Sequence, residues 1–567
     1  MVGCSAALLL LTSSNNSNGN ALVISGLTVD QAAKTVTFNL EWDNSWRTIN
    51  NPFNWDAAWV FCKFRQCGAA PSTDWSHGMM STALGDHTFP ANFEPTTSDG
   101  VTIPGIDASP NNTGVMLRRS VAGVYPGVAA TSVTLNVTNI PAVVVGIEYD
   151  VKVFGIEMVF VPTGSFFLGD GGIYPNPIGN SGWEINTLGS VTAGALTPAY
   201  NITSEAGFSM LSGMSSSTVG AAPYVVCANN NVALAAGFPK GYQAFYCMKY
   251  EISSEQYAEF LNTITANAGT ALFPGSYNTY RNRLNNTGIA PSIYVTDRPN
   301  RAQNFLWWKN LSSYLDWACL RPMSELEYEK ACRGQGPAID NEYSWGNNTI
   351  IPNTNQSMVI STTIPSEDGT ELVIGPVNSN ANTWYCVVST AVGYTGGDAG
   401  LGNNIGDRGP LRVGIFADIL DNTRMLSGAS YYGIMELTGN LAEYVVPATG
   451  FYNNTCYLPQ SMPGGPSGNT LMTFIRTWGD GYVDVNTGIH NVMTGTGTNG
   501  WPPANFLAGG GGGYGTCATA QPASCGYLGT RGGGWDNTWQ ELRVSDRYYV
   551  QNISSMTNNR SGGRGVR

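Results

Sequence analysis

Charge is what this 567-residue chain has least of: Asp, Glu, Lys and Arg together make up only 12% of it, roughly half the share usual in soluble domains. The balance is acidic, 27 Lys and Arg against 39 Asp and Glu for a net charge of −12, and no cluster of basic residues occurs. Nucleic-acid partners are therefore excluded, since phosphate affinity rests on clustered Lys and Arg. The three histidines, His77, His87 and His490, are scattered and no C-x-x-C occurs, which argues against a zinc or non-haem iron site built on clustered His. No stretch approaches the roughly 20 apolar residues of a membrane span. The short apolar run Ala6 to Leu11, followed by polar Thr12 to Asn20, reads as the core of a secretory signal over residues 1–21, although no Lys or Arg precedes it. Export permits disulfides, and ten of the eleven cysteines lie beyond residue 21. Local candidate pairs are Cys62 with Cys67, Cys227 with Cys247, and Cys517 with Cys525.

What the chain does have is apolar and neutral-polar bulk. Hydrophobic residues reach 42% and aromatics 11%, enough for sizeable cores, while 69 glycines and many Asn, Ser and Thr keep the surface soluble without charge. The length predicts two or three domains. Over residues 22–155 the pattern is that of strands. Val36, Phe38, Leu40 and Trp42 alternate with polar neighbours, Ala58 to Phe61 is a second, more apolar run, and the alternation returns at Val133, Leu135 and Val137 and at Tyr149, Val151 and Val153. Pro, Gly, Asn and Asp clusters separate these runs. The fold class expected is α+β, opening with an antiparallel β-sandwich of the immunoglobulin or fibronectin type. Its last strand runs on through Ile156 to Val161, which predicts a short linker and a rigid pair of domains.

Helical patterns are confined to the second half. Ser253 to Ile264 places Tyr257, Phe260 and Leu261 on one face, and Phe305 to Ala318 is a tryptophan-rich candidate. Glu325 to Cys332 is opened by Ser324 with Glu327 three residues on, the signature of a capping box. The aromatic group Phe305, Trp307, Trp308, Tyr314 and Trp317 is expected to be core rather than a sugar platform. Glu325 and Glu327 sit at a helix start, where the dipole favours negative charge. Arg543, Arg547, Arg564 and Arg567 are expected to tie the C-terminal segments to acidic or carbonyl partners. Beyond residue 335 the chain is dominated by loops with long Gly- and Asn-rich insertions. Asn-x-Ser/Thr sequons, among them Asn136, Asn201, Asn310 and Asn552, are expected from the composition alone.

Several blocks from Met158 to the end of the chain are familiar together. They are Met158-Val-Phe-Val-Pro-Thr-Gly-Ser-Phe-Phe-Leu-Gly169, Phe245-Tyr-Cys-Met-Lys-Tyr-Glu-Ile-Ser253, and Arg321-Pro-Met-Ser-Glu-Leu-Glu-Tyr-Glu329 with Ala331-Cys-Arg-Gly334. Then follow Tyr343-Ser-Trp-Gly-Asn347, Tyr432-Gly-Ile-Met-Glu-Leu-Thr-Gly-Asn-Leu-Ala-Glu-Tyr444, Arg531-Gly-Gly-Gly-Trp535 and Gly563-Arg-Gly-Val-Arg567. In this order the blocks resemble the formylglycine-generating enzyme, or sulfatase-modifying factor, family. The resemblance implies that residues 156–567 form a loop-rich domain with a C-type-lectin-like fold.

It also implies a chemistry that this chain lacks the residues for. The family uses two cysteines, just after the Arg-Gly-Gly-x-Trp block, to bind copper and attack a substrate cysteine, because soft thiolates suit Cu(I) and thiolate is the nucleophile. No cysteine follows Cys525 here, so the pair is absent under any alignment. An iron-dependent sulfoxide-synthase branch of the superfamily needs a His-x-x-x-His-x-Glu motif that is also absent. What the resemblance leaves is a structural Ca²⁺, held by the carboxylates of Glu436 and Glu443 and the carbonyl oxygens of Gly439 and Leu441, hard donors on one turning loop. The family more often has Asp or Asn where Glu436 stands.

The expected function is that of a secreted or cell-surface structural or binding protein that is not an enzyme. Self-assembly into a fibre, sheath or layer fits the low charge, and the chain resembles non-catalytic family members of Bacteroidota. Its partners would be other copies of itself or another extracellular protein or glycan. Two alternatives stand beside this: a retroelement-diversified ligand-binding protein, and a sulfatase-activating oxidase, which the missing cysteines disfavour.

Overall fold

The computed structural model describes residues 22–567 outside the stretches 70–73, 101–104, 107–111, 127–129, 173–183, 186–198, 211, 214–231, 235, 276–278, 351–357, 362–371, 376–387, 391–408, 418–422, 447, 449, 453–454, 458–477, 484, 486–528, 538–540 and 548–557. The two-residue alternation at the start of the chain becomes a strand pair, β1 (Val23–Asp30) and β2 (Thr35–Glu41). Strand β2 turns Val36, Phe38 and Leu40 inward, each fully buried, and its polar partners outward. The main strands of the two sheets that follow are β3 (Asp56–Gln66), β4 (Phe93–Thr96), β5 (Val115–Arg119), β6 (Thr131–Asn136), β7 (Tyr149–Val161) and β8 (Phe245–Met248). A three-stranded antiparallel sheet, β1-β2-β6, lies against a larger one whose order is β8-β7-β3-β5-β4.

Strand β3 explains why the stretch around Trp59 reads as an unbroken apolar run. Ala58, Val60, Cys62 and Phe64 face the first sheet, while Ala57, Trp59 and Phe61 face the helices of the second half. A strand covered on both faces needs apolar residues at every position. Strand β7 is divided in the same way, with Val151 and Val153 in one core and Phe154, Ile156, Met158 and Phe160 in the other. It pairs with β3 from Tyr149 opposite Gln66 to Val159 opposite Asp56, and its last four residues pair with β8. The expected continuation through Ile156 to Val161 is therefore one uninterrupted strand.

The helices lie behind this shared sheet. They are α1 (Ser254–Asn262), α2 (Ala266–Leu272), α3 (Trp308–Trp317) and α4 (Glu325–Arg333). Both Ser253 and Ser324 form capping boxes, with Gln256 and Glu327. Helix α2, capped by Thr265, was not legible as a helix because Ala266-Asn-Ala-Gly-Thr-Ala-Leu272 carries little apolar periodicity. Four of the five aromatics are core: Phe305, Trp308, Tyr314 and Trp317 are buried, whereas Trp307 at the head of α3 is only half-buried, and the Trp317 ring meets Phe61 and Phe154 edge-on at 5.2 and 4.9 Å. Asn310, part of a sequon, is buried and donates to Tyr257 Oη at 2.9 Å and Leu272 O at 2.7 Å. Its role there is structural.

The expected Cys62–Cys67 bridge is not formed. The two lie five positions apart along one extended segment, which separates them by roughly 16 Å on opposite faces, beyond disulfide reach. Cys62 is buried in the inter-sheet core, and Cys67 Sγ lies 3.6 Å from Asp150 Oδ1. Cys247 is buried as a thiol rather than bridged, directed at Met248 O at 3.5 Å. Cys227, Cys517 and Cys525 fall outside the described residues. No helix among the described residues is long and apolar enough to cross a membrane.

Candidate functional site

The loop Glu436 to Glu443 is fixed by two leucines, Leu437 and Leu441, that are essentially fully buried. The backbone turns sharply around them, with positive φ at Glu436 (52°) just before Leu437 and at Gly439 (82°) and Asn440 (63°) between the two. The turn presses on the Arg-Gly-Gly-Gly-Trp block. Gly439 N donates to Gly532 O and Trp535 N donates to Asn440 O, both at 2.9 Å. Gly532 itself has φ 81°, and a Cβ there would stand 2.6 Å from Leu437 O, so only glycine fits. Strand β9 (Ala442–Val445) leaves the loop and pairs with β10 (Gly529–Arg531) on one side and β11 (Ser561–Gly562) on the other.

Three carboxylates converge on this loop, one more than the sequence pointed to. Glu443 Oε1 accepts from Arg564 Nε at 2.7 Å and Nη2 at 2.5 Å. The same guanidinium also donates to the carbonyls of Met435 (2.8 Å), Met248 (3.1 Å) and Lys249 (3.3 Å). Glu251 accepts from Leu441 N at 2.9 Å and from Asn440 Nδ2 at 2.5 Å. Glu436 Oε1 accepts from Gly414 N at 2.8 Å. Glu251 stands within the Phe245 to Ser253 block, but nothing in its spacing from residue 436 signals the meeting.

Burial dominates the electrostatics. It pushes the Glu436 carboxyl up to about 7, with Arg564, the Gly414 N–H and Arg412 pulling down and Glu443 pushing up. Burial also raises Glu251 well above the carboxylate range and raises Glu443, in each case against the pull of Arg564. For Arg564 burial is the largest influence and would lower the value, but Glu443, Cys247 and Glu251 together more than offset it.

Three acids thus face Arg564 and Arg412, leaving one negative charge to be neutralised by a proton or a cation. Glu436 Oε2 and Glu443 Oε2 are buried and have no hydrogen-bond partner among the described residues. Orphaned carboxylate oxygens are the hard donors Ca²⁺ takes. Glu436 and Glu443 carry donors of the type calcium takes and would be the side chains that hold it, with Gly439 and Leu441 as the carbonyl donors that the resemblance implies. Glu443 would have to share its carboxylate with Arg564. Among the described residues no group of three or more His, Cys, Asp or Glu side chains is placed to hold a metal ion, so backbone oxygens would have to complete the coordination.

A second ionic network joins α4 to the C-terminal segments. Arg547 forks onto Glu325 at 2.6 and 3.0 Å, and Arg531 donates to Glu329 at 2.6 Å. Arg333 then bridges Glu329, at 2.9 Å, and Glu342. Three of the four arginines expected to tie down the C-terminus meet acidic or carbonyl partners, Arg547 with Glu325, Arg564 with Glu443, and Arg567 Nη1 with Cys319 O, while Arg543 hydrogen-bonds the Tyr343 side chain. Glu325 and Glu327 do more than complement a dipole, since Glu327 also takes Arg321 in a fork at 2.6 and 2.9 Å.

After Trp535 the chain is held by amides and acids. Gly534 N donates to Asn537 Oδ1 at 2.7 Å, Asn537 Nδ2 to Glu541 at 2.7 Å, and Arg560 pairs with Asp536 at 3.1 Å.

With this geometry in hand, comparison with known families matches residues 239–567 to the sulfatase-modifying factor enzyme 1-like domain. The chain belongs to this family. No curated protein sequence matches it.

Proposed function

We propose that this chain is a non-catalytic member of its family, a secreted or cell-surface protein that binds or builds rather than oxidises. The observation that carries the reading is the absence of any cysteine after Cys525, where the family's copper chemistry needs two. Four buried thiols support it. Burial pushes Cys62, Cys247 and Cys319 up to about 12 and raises Cys332 further, the reverse of what a nucleophile or copper ligand requires. On this reading the paired N-terminal sheets are an immunoglobulin- or fibronectin-like module, the family domain is C-type-lectin-like, and Ca²⁺ at Glu436 and Glu443 serves the fold. Low surface charge and a continuous strand between the halves favour self-assembly into a fibre, sheath or layer.

Two measurements test it. The full chain is incubated with Cu(I) and a cysteine-containing sulfatase peptide, and formylglycine is sought by mass spectrometry; stoichiometric copper binding with turnover would overturn the reading. Negative-stain microscopy of native material is expected to show ordered assemblies, and monomers alone would remove the assembly part.

A further inference from the structure

From Ser120 to Ile147 the chain carries no Asp, Glu, Lys, Arg or His. This charge-free stretch runs through β6 and holds an exposed turn on either side of it. Nine of the thirteen exposed large apolar side chains among the described residues lie between Val29 and Val145, so the N-terminal half carries most of them. Scattered singly they would need no explanation. Seven of the nine, however, gather at two tips.

At the first tip Ser45–Arg47 pairs with Gly123–Tyr125, Trp46 opposite Val124 and Arg47 opposite Gly123. Carried two positions further, this register sets Ile49 level with Val121. Arg47 Nη1 holds the two segments together by donating to the carbonyls of Arg119 and Ser120. On the other side Thr48 N donates to Asn54 O at 2.8 Å, which sets Ile49 level with Phe53. Ile49 and Val121 are each 64% exposed and Val124 is 80% exposed, with Phe53 beside them also open to solvent. The second tip is the turn 141–147, closed by Ile147 N donating to Val144 O at 3.0 Å. Gln31, just past β1, ties it down by donating to Pro141 O at 3.0 Å and Ala142 O at 3.1 Å. This turn exposes Val143, Val144 and, completely, Val145. Strand β6 leads from the first tip at Thr131, opposite Leu40, to the second beyond Asn136, opposite Thr35. The tips therefore stand at opposite ends of the sheet, separated by about 20 Å of strand.

The exposed fractions amount to roughly 300–450 Å² of apolar surface at each tip, in the range of patches that are often functional. A standard protein interface covers about 800 Å² a side, of which about 57% is apolar, so each tip supplies most of the apolar part of one side. None of the residues 49–53, 120–124 or 141–147 is charged, so covering them buries no ion of their own. One patch used twice across a two-fold axis stops at a dimer, whereas two different patches at opposite ends let a head-to-tail contact repeat.

We propose that the first tip of one copy seats on the second tip of the next, so that copies of this chain associate head to tail through the N-terminal module. This names the contact behind the self-assembly reading and rests on that reading. Sedimentation velocity over a concentration series tests it on the full chain and two surface variants. One carries Val121→Asp with Val124→Asp at the first tip, the other Val144→Asp with Val145→Asp at the second. Circular dichroism melts check that each variant folds. If a double variant does not, the single changes Val124→Asp and Val145→Asp, at the most exposed position of each tip, replace it. The unmodified chain is expected to form species larger than dimers as concentration rises, and each variant alone to stay monomeric. An equimolar mixture of the two variants is expected to give dimers and nothing longer, because one intact tip of each kind remains. Dimers of either variant alone would show that like tips meet and would overturn the head-to-tail contact. Variants that assemble as the unmodified chain does would overturn the tips while leaving assembly through another surface. An unmodified chain that stays monomeric throughout would overturn both.

Discussion

Arg564 and Glu443 meet in the interior of the family domain, with guanidinium Nε 2.7 Å from the carboxylate and neither side chain appreciably exposed. The pair closes β9 against the C-terminal segment. Removing one partner strands the other charge in a low-dielectric interior. Arg564→Met is therefore expected to destabilise the chain by about 3–5 kcal/mol. Urea unfolding followed by tryptophan fluorescence measures this, and a loss under about 1 kcal/mol would mean that water reaches Glu443.

Glu436 supplies a pH dependence whose sign is fixed by its raised value. Its folded carboxyl titrates near 7 against 4.5 for the ordinary group. Between these values the folded state holds more protons than the unfolded one, so stability falls as pH rises through the window. Glu251, raised in the same direction, adds to the slope. Melting temperature in EDTA is expected to drop from pH 5 to pH 8, and Glu436→Gln to flatten the drop.

Calcium should oppose that fall. Binding requires the ionised carboxylate, so added Ca²⁺ is expected to raise the melting temperature more at pH 8 than at pH 5.5. Glu436→Gln should abolish the pH-dependent part. A calcium response equal at both pH values in the wild-type chain would place the ion elsewhere.

The buried thiols are expected to stay unreactive in the folded chain. Alkylation with iodoacetamide and peptide mapping should leave Cys62, Cys247, Cys319 and Cys332 unmodified until denaturant is added, while Cys67, at the end of a strand and partly exposed, reacts. Rapid modification of Cys319 under native conditions would contradict its burial.

Trp59 belongs to both halves at once. It is fully buried on β3, and its Nε1 donates to Ala318 O at 2.9 Å just after α3. Trp59→Ala is expected to cost about 3–5 kcal/mol. The loss should appear in a single unfolding transition, since the residue packs against the helices of the family domain. Two separated transitions would show that the halves melt independently.

How much of this was legible from residues alone varies with the range of the interaction. Strand β2 and helices α1 and α4 follow from local signals, an alternation at Val36 to Leu40 and capping boxes at Ser253 and Ser324. Helix α2 has no such stripe and is held by packing of Ala268 and Leu272 into the core. In the candidate site, Glu436 and Glu443 share a short loop and could be named. Glu251 and Arg564 arrive from segments 185 and 128 residues away from Glu436, by subtraction of their positions. No periodicity encodes such a meeting. The Cys62–Cys67 pairing failed for the opposite reason: nearness in sequence misleads where the chain is extended.

Strand β7 has one more consequence. Eleven of its residues, Tyr149 to Val159, pair with β3, and the same strand then passes directly into pairing with β8. Tension along β7 against β3 would load those rungs together, in shear, instead of unzipping them singly. If the protein is laid into an extracellular array, this strand is the tendon through which strain crosses from one half of each subunit to the other.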